Sequence, residues 1–171
     1  YDPNGFDHMR MPGYALDIPS KPEELIQRLS TLFPTHRDRI RQFINEVEKT
    51  GAGLKKLAPP LRPIELLKHS SEVGCAIQYV NSTLQDVFDK FQLPQAAQTL
   101  LALQWLDFLL PPNQLSFYAW VALFRGYQAG AFYPTQHFEH FINSLVQVIE
   151  SHGGQVLLNH EVTNFKVIDQ T

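Results

Sequence analysis

Gly126-Tyr127-Gln128-Ala129-Gly130-Ala131-Phe132-Tyr133-Pro134 is the stretch at which the chain changes character. Glycine and proline interrupt periodic structure, so the run predicts a turn between two differently built parts. Beyond it, Phe138, Phe141, Ile142, Leu145, Val148 and Ile149 recur at the three- and four-residue steps of a helix with one apolar face. Gly153-Gly154 is placed to stop that helix. Gln155–Leu158 and Val162–Ile168 then read as strands, being short β-prone runs. The expected organisation is a helical part, residues 1–130, followed by a return segment, residues 131–171.

Working back from the turn, Ser116–Gln128 predicts a helix apolar on nearly every side, and Leu93–Leu110 another, stopped by Pro111-Pro112. Such helices are buried or line an apolar ligand space. Ser82-Thr83-Leu84-Gln85 opens a helix whose inner side is Leu84, Val87, Phe88 and Phe91. Residues 70–80 fit more than one element. Ile64–His69 predicts a short helix after a connector, residues 51–63, rich in glycine and proline. Upstream, Ile40, Phe43, Ile44 and Val47 form the apolar face of a helix that Thr35 caps and that Gly51 and Gly53 are expected to end. Ser20-Lys21-Pro22-Glu23 has the form of a capping box with proline in the first turn, followed by Leu25, Ile26, Leu29 and Leu32; Phe33-Pro34 closes that helix. Residues 6–18 read as a hairpin about Pro12-Gly13. The expected fold is α+β: mostly helical, with a small sheet from the N-terminal hairpin and the C-terminal strands.

Composition narrows the function classes. Of 171 residues, 44% are apolar, enough for a core, and 18% are charged, below the ~25% usual in globular proteins. The net charge of −3 and the absence of any long Lys/Arg run leave no electrostatic footprint for nucleic acid or an anionic membrane. A single cysteine, Cys75, excludes an internal disulfide and a thiolate metal cage. The first residues carry no charged-then-apolar leader, so no signal peptide is expected. The most apolar stretch, Leu93–Phe124, is interrupted by Asp107 and Pro111-Pro112, short of the ~18 unbroken apolar residues of a membrane span. A cytoplasmic location is the expectation, with a disulfide-free secreted protein as the alternative the single thiol leaves open.

Motifs for common chemistries are absent: no G-x-G-x-x-G, P-loop or G-x-S-x-G occurs. Gly51-Ala52-Gly53 follows a helix rather than a strand and reads as a helix end. His137 and His140 are three apart, one short of the H-E-x-x-H spacing, and no third ligand is evident, so no metal site is expected. Asp107 lies in an apolar run, and a buried carboxylate needs a partner; Arg125 is a candidate. Trp105, Phe108, Phe117, Tyr118, Trp120, Phe124 and Tyr127 cluster within 23 positions. They read either as core or as the lining of a cavity for a long apolar ligand.

Two sets of residues carry a resemblance. Over 126–168, the Gly/aromatic/Tyr133-Pro134 turn, the helix, the Gly153-Gly154 stop and Glu161-Val162-Thr163 occur in this order. More loosely, over 19–115, Asp17-Ile18-Pro19 precedes a helix ending Leu32-Phe33-Pro34, a long second helix and Leu61-Arg62-Pro63. Together they resemble the middle of phytoene desaturase-like flavoproteins of the amine-oxidase superfamily, a group that includes carotenoid isomerases and retinol saturases. The resemblance implies a helical domain capping a substrate channel, FAD as cofactor and a carotenoid-like or other long apolar substrate. It implies that Tyr133, Gln136 and His137 lie toward the flavin, that the aromatic set from Trp105 to Phe124 lines substrate space, and that the Val162 backbone contacts the adenine side of FAD. Catalytic residues are not assigned by it. Peripheral membrane contact goes with polyene substrates. Where the family reads Tyr-Pro-x-Gly-Gly, this chain has Gln136 and His137 in place of the two glycines, so the path of the turn or its contacts is expected to differ. No glycine-rich turn is present to hold a pyrophosphate. The chain alone is therefore expected to be inactive and not to retain FAD, and its strand edges are expected to favour a homodimer. The rival readings are a non-enzymatic carrier of apolar ligands and a helical protein-interaction module.

Overall fold

A computed structural model describes residues 7–57, 68–128, 130 and 133–167. Strands β1 (Asp7–Met11) and β2 (Tyr14–Ile18) pair antiparallel with Met9 opposite Leu16. Pro12 and Gly13 fill the turn, and Gly13 takes φ +82°, which a residue with a Cβ rarely adopts. Alternation turns Met9, Leu16 and Ile18 into the core. Arg10 and His8 hold Asp17 across the outer face at 2.7 and 2.9 Å.

Helices α1 (Pro22–Leu32) and α2 (Arg37–Leu57) are joined through a 3-10 turn, Pro34–His36. The expected capping box at Ser20 does not form: Lys21 occupies the N-cap position, and no side chain caps the helix. Leu25, Ile26 and Leu29 of α1 and Ile40, Phe43, Ile44 and Val47 of α2 are essentially inaccessible to solvent. Each such side chain contributes about 1.5–3 kcal/mol relative to exposure.

The expectation that Gly51 and Gly53 end α2 is overturned, because the helix runs through both. A Cβ on Gly53 would lie 2.1 Å from the Glu72 carbonyl oxygen, and one on Gly51 would lie 3.2 Å from the Arg125 side chain. The glycines thus permit close packing of α2 against α3 (Ser70–Gln78) and α6 (Phe117–Gln128), and that packing outweighs their poor helix propensity. The helix expected over Ile64–His69 falls largely on residues 58–67, outside those described.

Helix α4 (Leu84–Lys90) begins with a complete capping box, Thr83 accepting from the Asp86 amide and the Asp86 carboxylate accepting from the Thr83 amide. Leu93–Leu110 is not one helix. It consists of α5 (Gln95–Ala102) followed by a 3-10 segment, Leu103–Asp107. The residues before Pro111-Pro112 thus tighten and end before the proline pair, in keeping with the bias of pre-proline positions away from helix. The backbone of residues 111–117 returns to α4: Leu84 donates to Leu115, Gln85 to Pro112 and Phe117 to Ser82 at 2.8–3.0 Å.

The chain divides into two compact units, residues 1–131 and 132–171. The second holds α7 (His137–Ser151), closed by a Schellman pair in which Gly154 donates to Ile149 and Gly153, at φ +80°, donates to Glu150. The expected C-terminal strands are absent among the described residues, because 155–167 pairs with no neighbour and runs irregularly. The only described sheet is the N-terminal hairpin. The α+β class therefore stands, while its expected C-terminal half of the sheet does not.

Candidate functional site

Phe117, Trp120 and Phe124 succeed one another along α6 and stack, with centroids 6.1 Å apart for Phe117–Trp120 and 4.6 Å for Trp120–Phe124. Phe43 and Phe88 close on Trp120 at 6.0 and 6.4 Å, and the Trp120 indole N–H donates to the Leu101 carbonyl at 3.3 Å. All five rings are at most 1% exposed. In this arrangement they fill the centre of the first unit, where offset and edge contacts add to area burial.

The other members of the aromatic set are partly exposed. Tyr118 donates its hydroxyl to the Ala76 carbonyl, tying α6 to α3. Tyr127 donates to Asp107 at 3.2 Å. Burial, followed by that hydrogen bond, raises the Tyr127 phenol above its ordinary range. The expected Asp107–Arg125 pair is thereby replaced. Asp107 is solvent-exposed and serves Tyr127, whereas Arg125 reaches across to Glu48 on α2 and to Gln128 at 3.1 Å.

Trp105 and Phe108 sit at the 3-10 segment after α5. Trp105 forms one side of a groove of about 330 Å³, with Pro111 and Pro112 also lining it. The polar lining of this groove escaped sequence reasoning. Gln95, Gln98 and Thr99 share one face of α5, and Gln98 is 8% exposed. Their i, i+3, i+4 spacing inside an otherwise apolar run was the available signal.

A second polar cluster, also missed, joins α2, α3 and α4. Glu46 accepts from Tyr79 at 2.6 Å and from Gln78 at 2.8 Å, and the Lys90 ammonium lies 3.7 Å away. Lys90 also rests 4.6 Å from the Tyr79 ring centroid. Burial and the Glu46 carboxylate push the Tyr79 phenol far above the tyrosine range, so it acts as a fixed donor.

In the second unit, Tyr133 packs edge-on against His137 at 6.2 Å and Phe138 at 5.1 Å. Gln136 is the N-cap residue of α7, without a capping hydrogen bond. His137 has φ +64°, a conformation that glycine adopts without strain. Val162 is 81% exposed and lies in no strand. Among the described residues, no group of three or more His, Cys, Asp or Glu side chains is placed to hold a metal ion, and no helix is long and apolar enough to cross a membrane. Comparison of the chain with protein-family models, curated proteins and solved structures finds no match.

Proposed function

We propose that the chain is the substrate-domain segment of an FAD-dependent oxidoreductase acting on a carotenoid-like or other long apolar substrate, and that it needs further domains for activity. The observation that carries this reading is the second unit. Phe138, Phe141, Ile142, Leu145, Val148 and Ile149 of α7 are 45–57% exposed, and Leu158, Val162, Phe165 and Val167 beyond it are 76–81% exposed. No residue of α7 is buried. An apolar helical face and β-prone runs this exposed among the described residues are what a further domain would cover.

The backbone at His137 supports the same reading. In the Tyr-Pro-x-Gly-Gly pattern of the resembled family, this position is a glycine, and here it holds the positive φ that favours glycine. In this account Tyr133, Gln136 and His137 lie on the substrate side of the flavin, and the Val162 backbone lies against its adenine end. FAD, when bound, supplies the hydride chemistry; the chain supplies binding and orientation.

The test is a Tyr133→Ala variant of the longer flavin-bearing protein, assayed on a polyene. Turnover falls at least about tenfold, equivalent to about 1.4 kcal/mol, with flavin content unchanged. Unchanged turnover removes the turn from the site.

A further inference from the structure

The groove between α4, α5 and the proline pair has the features of a small-molecule site. Its volume of about 330 Å³ is at the lower end of the ~300–1,000 Å³ of such sites. That is room for one or two rings and not for a long polyene. Leu103 provides apolar contact and Trp105 a flat aromatic surface, and none of the lining residues is charged. The wall is fixed, because the Pro112 carbonyl accepts the Gln85 backbone N–H at 3.0 Å.

The amides are held in place as well. Gln98, more than nine-tenths buried, donates to the Leu93 carbonyl at 2.9 Å and accepts from Gln85 Nε2 at 3.0 Å. Gln85 Nε2 also donates to Asp89 at 2.8 Å. Counting hydrogens, both N–H bonds of the Gln85 amide are used, which leaves its Oε1 as an acceptor. Gln98 retains one N–H as a donor. A neighbouring acceptor and donor in an uncharged, aromatic-sided groove match a group that both gives and receives a hydrogen bond.

We propose that this groove binds a small uncharged molecule with a ring system and a hydroxyl or amide group, the ring on Trp105 and the polar group between Gln85 and Gln98. The site does not depend on the flavoenzyme reading. Anionic ligands are disfavoured, because no lining residue is cationic and the Asp89 carboxylate already lies on the Gln85 side-chain amide.

The test uses the 171-residue chain, with 2-naphthol as probe and 2-naphthoate as its charged counterpart, followed by NMR. The expected result is saturable shifts of the Gln85 and Gln98 side-chain amides and the Trp105 indole, with 2-naphthoate at least about tenfold weaker. Thr99→Phe and Gln95→Phe, both at accessible rim positions, narrow the groove. Each variant that retains the wild-type pattern of core resonances lowers 2-naphthol affinity at least about tenfold. Absence of 2-naphthol binding, equal binding of 2-naphthoate, shifts centred elsewhere, or full affinity in a folded rim variant each overturns the proposal.

Discussion

Gly53 and Gly74 both sit inside helices, yet their surroundings make opposite demands. A Cβ on Gly53 meets the Glu72 backbone at 2.1 Å, while one on Gly74 meets nothing within 4 Å. Gly53→Ala is expected to destabilise the first unit by about 1–3 kcal/mol, and Gly74→Ala to stabilise it by about 0.5–1 kcal/mol; urea denaturation measures both. Trp120 and Trp105 form a similar contrast. Trp120→Ala removes the centre of the ring stack and costs about 3–5 kcal/mol, whereas Trp105→Ala, at the groove edge, costs less in the same assay. Asp17 provides the pH dependence. Hydrogen bonds from His8 and then Arg10 hold its carboxyl below the ordinary value. Its contribution is present above the unfolded value of ~3.9 and is lost as pH falls through the lower folded value. Asp17→Asn should therefore weaken the protein at neutral pH and flatten its acid-induced loss of stability. Equal acid sensitivity in the two proteins would show that this ion pair contributes nothing.

At the scale of elements, the periodic segments were the legible ones. Regular apolar spacing located α1, α2, α4 and α7, and Pro12-Gly13 located the hairpin turn, because burial of one face is written into consecutive residues. Errors arose where a distant element decides. Nothing near Gly53 in sequence announces that Glu72 passes over it, so the glycine reads as a stop. The β-prone residues 155–167 satisfy strand patterning, but a strand also requires a paired neighbour, and none is described. Capping shows the same limit: Ser20 and Thr83 both stand in capping-box patterns, and only Thr83 forms the bonds. Thr83→Ala is expected to cost about 1 kcal/mol, and Ser20→Ala close to nothing, when compared by thermal unfolding. Of the candidate site, the aromatic residues were legible as a group. Their division between the Trp120 core and the Trp105 groove was not, since it depends on where the chain bends after Ala102. The amide rim was passed over because glutamine on a helix is ordinarily a solvated residue.

For the whole molecule, the first unit has a continuous core of its own, whereas α7 and the residues after it expose the side chains that would normally form one. This asymmetry is what supports the proposal that the chain serves within a larger protein; the flavin part of that proposal is tested separately. The most direct measurement is the visible absorbance spectrum of the purified longer protein that contains this segment, taken beside that of the 171-residue chain after incubation with FAD and removal of unbound cofactor. Flavin bands in the longer protein and none in the chain are the predicted result. A longer protein without flavin even after reconstitution, or stoichiometric flavin retained by the chain alone, would contradict it.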